Sequence, residues 1–370
     1  MELPLLINKF NLKGRLVALQ PFGNGNINDT YLAIYRNTFT ETQVILQKVN
    51  RKVFPVPEVI MSNMHEITKH CHEKLESDAK ARRDDRVWQM PRIIKAKDSK
   101  DYVVDEDGEV WRVITRIMSA HAFDVAQGPE HAMECGAALG HFHYLISDMS
   151  PKAIKDPLPG FHVTSNYLKR YDATLKTRLA KSLLNSSMEA RRLAKFIEER
   201  RDLAVCLEKA QKRGELKKRM FHGDPKVNNI MIDDVTGKGT AVIDLDTVSP
   251  GLIHMDFGDA LRSICNPVGE EVTNLSKVIF DEDLATAFCK GYMREAGAFL
   301  TDADRAYFYD SIRLLPFELG LRFFQDYLAG NVYFKTSQPS QNLNRARVQF
   351  RLCESIEARE RSIQNALRRL

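Results

Sequence analysis

The 370-residue chain sets 54 lysines and arginines against 49 acidic residues, for a formal net charge of +5, with 44% hydrophobic and 28% charged residues. This composition is globular and excludes fibrous and disordered classes, while the mild positive charge suits a small anionic ligand without demanding nucleic acid. The length suffices for two or three lobes with sizeable cores.

The N-terminal stretch MELPLLINKFNLKG holds too short an apolar run for a signal peptide. No segment approaches the roughly 18 to 20 apolar residues of a membrane span, so a soluble cytoplasmic protein is expected. Cys71, Cys135, Cys206, Cys265, Cys289 and Cys353 are scattered with no CxxC pair, which points to reduced thiols.

RLVALQPF and DTYLAIYR read as strands around a GNGN turn, and QVILQKVN as a third. PEVIMSNMHEITKHCHEKLESDAKAR has helical spacing, with Val59, Ile60, Met64, Ile67, Cys71 and Leu75 near one face. After a charged connector, RIIKAK, DYVVD and EVWRVITRIM read as strands. A largely antiparallel sheet carrying one helix is thus expected over 15–118, within an N-terminal lobe of residues 1–118.

Residues 119–370 change character. PEHAMECGAALGHFHYLIS, SNYLKRYDATLKTRLAKSL and MEARRLAKFIEERRDLAVCLEKAQKR each read as one long amphipathic helix, and helices return after residue 280. Between them lie a strand ending KRMFHG and a hairpin, NIMIDD-VTGKG-TAVIDLD. The expected fold class is α+β, a small β-rich lobe followed by a large helical one.

The stretch HGDPKVNNIMIDDVTGKGTAVIDLD, residues 222–246, carries the chemistry. Asp224 opens a loop after a strand, where a carboxylate can meet a substrate. Lys226 reaches the same cleft and can offset charge on a moving phosphate. Asn229 offers a neutral oxygen ligand, and Asp244 arrives at the same end of the paired strand. Neighbouring strands lie only about 5 Å apart, so both side chains can grip one metal. Asp246 is either a ligand of a second metal ion or a residue that supports the ligands from behind. Phosphoryl transfer needs this combination of metal, cation and orienting carboxylate. A turn with capping Asp and Asn residues is the ordinary alternative. Upstream, Gly23, Asn24 and Gly25 form a turn whose backbone amides can approach phosphates.

The ordered set D-x-K-x-x-N, hairpin, apolar run ending in D resembles the catalytic and metal loops of protein kinases. It resembles more closely the aminoglycoside phosphotransferase-like superfamily, since HGD replaces HRD and IDLD replaces a strict DFG. The resemblance implies a bilobal protein-kinase-like fold using ATP and Mg²⁺, with Asp224 as catalytic base and Asn229 and Asp244 as metal ligands. Adenine would lie near the lobe junction, from Ile114 through Arg116 to Met118. The third-strand lysine position falls on Gln47 or Lys48; if on Gln47, Lys48 points to the opposite face, and either Glu58 or Glu66 is the helix partner. The triplet Asp256-Phe257-Gly258 spells DFG but falls past the hairpin, so Asp256 or Asp259 is expected to hydrogen-bond the catalytic loop instead.

Read together, GNGNINDTYL, VILQKVN with VFPVPEVIMSN, HGDPKVNN, VIDLDTVSPG and LRFFQDYLAGNVYFK resemble the N-acetylhexosamine 1-kinase family over residues 23 to about 335. This implies transfer to the anomeric hydroxyl of an N-acetylhexosamine, with sugar contacts from Asp29, Arg322 and Tyr333. Asn26 stands where better-known members carry histidine, which bears on the choice of sugar. Rival acceptors are another sugar, an amino alcohol or an aminoglycoside, and a nucleotide-binding pseudokinase is the rival from another class. The pairs His70/His72 and His141/His143 are spaced poorly for chelation and are expected on helix surfaces, as are basic clusters such as KARRDDR.

Overall fold

The computed structural model describes residues 2–23, 27–82 and 85–369. Strands β1 (Arg15–Pro21), β2 (Asp29–Arg36), β3 (Glu41–Val49), β4 (Ile93–Ile94), β5 (Val103–Val104) and β6 (Val110–Thr115) form one antiparallel sheet. The order is β1-β2-β3-β6-β4, with β5 also pairing β6. Alternation decides what each face does. Val44 and Leu46 of β3 and Trp111 and Val113 of β6 pack outward against Leu6, Ile7 and Phe10. The opposite face carries Ile45, Gln47 and Val49, with Val110, Arg112 and Ile114 beside them in register. There the Pro57–Ser77 helix packs through Ile60 and Met64.

After β6 the chain becomes helical, as the sequence predicts. β7 (Ala120–His121) joins β9 (Ile230–Asp233) and β10 (Gly239–Val242) in a three-stranded sheet, while β8 (Arg219–Phe221) pairs β11 (Ser249–Gly251). The main core lies here, around the helices Pro129–Ile146, Ile253–Ile264, Glu282–Ala296 and Phe308–Leu328. The Pro129–Ile146 and Glu282–Ala296 helices approach closely at two glycines. A Cβ at Gly136 would strike the Phe288 carbonyl, and one at Gly291 the Met133 carbonyl.

Several expectations are corrected. The helix expected over SNYLKRYDATLKTRLAKSL breaks into Thr164–Thr174 and Arg178–Ser186, because Thr177 caps the second piece by accepting the Ala180 amide at 3.2 Å. MEARRLAKFIEERRDLAVCLEKAQKR divides likewise into Met188–Glu198, a 3₁₀ turn and Cys206–Lys212. His141 and His143 are buried at 1% exposure, not on a helix surface. Arg86 of KARRDDR is buried too, paired with Glu134 at 3.0 Å. All six cysteines are free thiols. Among the described residues no helix is long and apolar enough to cross a membrane.

Candidate active site

The loop 222–229 is built by its supports. Gly223 turns at φ 89°, and a Cβ there would meet the Thr247 carbonyl, so glycine is needed for both reasons. Asp256, fully buried, accepts the amides of His222 at 2.5 Å and Gly223 at 2.7 Å, and the His143 ring at 2.7 Å. Burial works against its charge, yet the His143 ring and these amides hold its pKa below the ordinary carboxylate value. This is the loop-supporting role expected for the misplaced DFG triplet. His222 accepts the Asp224 amide at Nδ1 (3.2 Å) and faces the Ile243 carbonyl at Nε2 (2.9 Å). Burial lowers its pKa, which fits a neutral ring donating from Nε2. Ser263 accepts the Val227 amide at 3.1 Å.

This frame aims the reactive groups. One carboxylate oxygen of Asp224, Oδ2, accepts from Lys226 Nζ at 2.8 Å and Asn229 Nδ2 at 3.2 Å, leaving Oδ1 without a hydrogen-bond partner among the described residues. The negative charge of Asp224, above all, raises the Lys226 pKa, with Asp244 adding to it. Asn229 also donates to the Asp224 carbonyl at 2.8 Å, so its amide nitrogen is committed and its oxygen remains as a ligand atom. Asn229 and Asp244 sit at the same end of the β9–β10 pair, where the Ile243 amide donates to the Asn229 carbonyl at 2.9 Å.

Asp244 adopts φ 64°, a left-handed conformation uncommon for aspartate. The residue is exposed, yet protein crowds its carboxylate. That desolvation, with repulsion from Asp246 and Asp224, pushes its pKa up to about 7. An amide oxygen beside an electron-rich carboxylate is a hard oxygen set that fits Mg²⁺, which commonly takes one or two carboxylates and completes its shell with phosphates and water. No group of three His, Cys, Asp or Glu suited to a metal occurs among the described residues, so this pair would rely on such outside oxygens.

Asp246 has a different situation. It is 2% exposed, with Oδ1 2.6 Å from Arg112 Nη1 and Oδ2 accepting Asn28 Nδ2 at 2.8 Å. Both oxygens are taken by protein donors, which sets it apart from Asn229 and Asp244. Arg112, equally buried, also donates from Nε (3.0 Å) and Nη2 (2.8 Å) to Gln47 Oε1, directly across the sheet. Gln47 in turn donates to Thr30 at 3.1 Å. Arg112 and Asn28 are thus members of the site that the sequence reading missed. The available signal was a lone arginine inside the apolar run VWRVIT.

Neither Glu58 nor Glu66 is the helix partner of this position. Both are exposed, and the Pro57–Ser77 helix presents Met64, whose sulfur is 3.8 Å from Arg112. Lys48 lies on the opposite face, as the alternation predicts, bound to Asp29 at 3.1 Å. Asp29 therefore shares the outward face with Lys48, and the structure does not bring it to Asp224. Gly23 turns at φ 75°, and Asn24, Gly25 and Asn26 lie outside the described residues. Arg116 hydrogen-bonds Gln43 and stacks over Phe22 at 5.4 Å. Ile114 is half-buried on the cleft face of β6. Just beyond, Ile117, Ala120 and Ala241, with half-buried Met231 and Ile243, form an apolar platform.

On the other side of the loop, the Arg322 guanidinium lies over Phe161, Tyr167 and Phe334 at 5.3, 5.0 and 5.5 Å. Its N–H groups meet no acceptor among the described residues. Tyr333 is 57% exposed, with its ring against Phe334 at 4.8 Å.

A family model described as phosphotransferase enzyme family matches residues 18–307. An aminoglycoside phosphotransferase from Alicyclobacillus acidocaldarius aligns at TM-score 0.60 and 15% identity, covering 100% of this chain and 97% of that one. A choline kinase from Cryptosporidium parvum aligns at 0.58 and 10%, covering 95% and 91%. A spectinomycin phosphotransferase in complex with ADP and spectinomycin aligns at 0.51 and 12%, covering 96% and 95%. At such identities these likenesses establish a shared fold, the bilobal α+β architecture of protein-kinase-like enzymes.

Proposed function

The chain belongs to the phosphotransferase enzyme family, and from that premise we propose that it moves the γ-phosphoryl group of ATP to a sugar hydroxyl, the anomeric hydroxyl of an N-acetylhexosamine. Residues 1–118 would cover the nucleotide and 119–370 would carry the catalytic loop and acceptor site. The observation that carries the transfer reading is the Asp224 carboxylate, with Oδ2 pinned by Lys226 and Asn229 and Oδ1 left for an incoming hydroxyl.

In this reading Asp224 Oδ1 orients the acceptor hydroxyl and takes its proton. The Lys226 ammonium, kept protonated by Asp224 and Asp244, faces the charge that gathers between donor and acceptor. Asn229 and Asp244 would hold Mg²⁺, which supplies charge neutralisation on the nucleotide phosphates when bound. The backbone from Ile114 to Met118 reads the adenine edge above the Ile117–Ala241 platform, and Gln47 faces the phosphates.

The acceptor assignment is supported by Arg322, a cation whose donors lack a partner among the described residues and which suits a carbonyl or hydroxyl oxygen. An amino alcohol or aminoglycoside brings its own positive charge and would be repelled there. Tyr333 and Asn26 are the accompanying candidates for sugar contact. Asp29 would have to leave Lys48 to join them.

The test is Mg-ATP turnover across N-acetylhexosamines, plain hexoses, amino alcohols and aminoglycosides, with the phosphate position read by ³¹P NMR. A sugar 1-phosphate is expected from N-acetylglucosamine or N-acetylgalactosamine. Transfer only to another class of acceptor would discard the sugar and keep the mechanism. Asp224→Asn is expected to lower kcat by about 10²- to 10⁴-fold while binding nucleotide normally. An unchanged kcat would remove Asp224 from the chemistry.

A further inference from the structure

A buried histidine joins the acceptor side of the cleft to the catalytic loop. His162 precedes the Thr164–Thr174 helix at φ 53°, a left-handed conformation held there by its contacts. The residue is 8% exposed, and both ring nitrogens are engaged. Nδ1 lies 2.7 Å from Glu318 Oε1, and Nε2 lies 2.8 Å from the Gly223 carbonyl oxygen. The Gly223 carbonyl can only accept, and with Glu318 ionised its oxygen can only accept too, so the ring then serves both at once only as an imidazolium.

The same segment supports Arg322. Phe161, next to His162, and Tyr167 form two walls of the aromatic cage beneath the Arg322 guanidinium. The Tyr167 hydroxyl accepts the His162 amide at 3.2 Å. Glu318 and Arg322 are four residues apart on the Phe308–Leu328 helix and so share a face. The other Glu318 oxygen accepts the Thr164 hydroxyl. From Arg322 through Phe161, Tyr167 and His162, packed or hydrogen-bonded contacts lead to Gly223, the residue before Asp224.

We propose that His162 is a positioning residue for phosphoryl transfer: held as an imidazolium by Glu318, it fixes the Gly223 carbonyl and thereby the direction in which Asp224 meets the acceptor. The kinetic part of this inference rests on the phosphotransferase reading above; the charge state of the ring rests on its two contacts and on an ionised Glu318, independently of that reading. The groups facing the ring are Glu318 and Arg322 from one helix, Asp259 from the Ile253–Ile264 helix, where Arg262 pairs with it at 2.7 Å, and Tyr167. Burial disfavours charge on His162, yet Glu318 first and Asp259 after it raise its pKa above the ordinary histidine value. Burial likewise disfavours charge on Glu318, but His162 holds its pKa below the ordinary value. A raised folded-state pKa means the bridge is fully formed below the ordinary histidine pKa and is lost as pH rises through the raised value.

The experiment has two arms on the full chain. Long-range ¹H–¹⁵N NMR reads the histidine ring nitrogens, with the His162 signals identified by their loss in His162→Gln. Imidazolium-like shifts on both nitrogens at neutral pH are expected, and a neutral ring would overturn the proposal. In steady-state kinetics His162→Gln is expected to lower kcat about ten- to a hundredfold, with the Mg-ATP KM within about twofold of wild type. Wild type is expected to lose kcat on the alkaline side, and that fall should vanish in His162→Gln/Glu318→Gln, whose two amides do not titrate. A kcat within twofold in His162→Gln, or an alkaline fall that persists in the double variant, would also overturn it. If the wild-type chain transfers phosphate to no acceptor, the functional reading fails, and the imidazolium bridge is judged on the ring-nitrogen shifts.

Discussion

Asp244 brings the most consequential charge in the cleft. Its pKa is pushed up to about 7, so on the proposed reading, in which it holds Mg²⁺, a proton would compete with the metal just below neutrality. The apparent Mg²⁺ requirement is expected to rise as pH falls below about 7, approaching about tenfold per pH unit. A requirement that stays flat from alkaline to mildly acidic pH would contradict this. Without metal the sign for stability is the reverse. A carboxylate whose folded-state pKa is raised contributes stability at low pH that is lost as pH climbs through about 7. Thermal unfolding of the metal-free chain should show that loss, and added Mg²⁺ should restore it. Arg112 makes a second case at this scale. Arg112→Met leaves Asp246 buried without its cation and is expected to cost about 3–5 kcal/mol. Arg112→Met/Asp246→Leu should recover much of that in denaturant unfolding, because no unpaired charge remains. Asn229, Asp244 and Asp224 were all legible in the sequence, because strand, loop and hairpin fix their order. Arg112, Asn28 and His162 were not. Their roles arise from contacts between residues far apart in the chain, from 28 to 246 and from 162 to 223, and no periodicity reports such pairs.

The elements follow the hydrophobic pattern where that pattern is long and lose it where a local cap competes. The antiparallel N-terminal sheet was readable strand by strand, down to the opposed faces of Gln47 and Lys48. Two of the expected helices broke, the first because a short polar signal inside it, Thr177, accepts a backbone amide and starts a new helix. The histidines of HFH looked superficial for a similar reason. Their spacing excludes chelation, but only the packed structure shows His143 bridging Tyr292 at 2.8 Å and Asp256 at 2.7 Å. Gly136 and Gly291 give a prediction proper to this scale. Gly291→Ala places a methyl against the Met133 carbonyl, where two helix backbones meet. It is expected to destabilise the chain by about 1–3 kcal/mol in chemical denaturation despite alanine's better helix propensity. A neutral or stabilising result would mean that the two helices can separate at no cost.

For the whole molecule, the relation between the sheet and the helical part matters most. Asn28, from the segment before β2, and Arg112, from β6, both close on Asp246, just past the hairpin of the helical part. Those two regions should therefore unfold together. A single coincident transition by near-ultraviolet dichroism and by thiol exposure is expected, and two separated transitions would refute it. The thiols are a suitable probe, since five of the six are buried and burial pushes the pKa of partly buried Cys206 up to about 12. A thiol reagent should label the native chain slowly and all six cysteines after unfolding.

The ion pair between Arg112 and Asp246 also bears on inhibition. Where a neighbouring helix supplies the carboxylate, swinging that helix away separates the charges and disables the nucleotide site. Here the Pro57–Ser77 helix offers only the Met64 thioether, so displacing it would leave the pair intact. A small molecule wedged behind that helix would gain no such leverage over this pair.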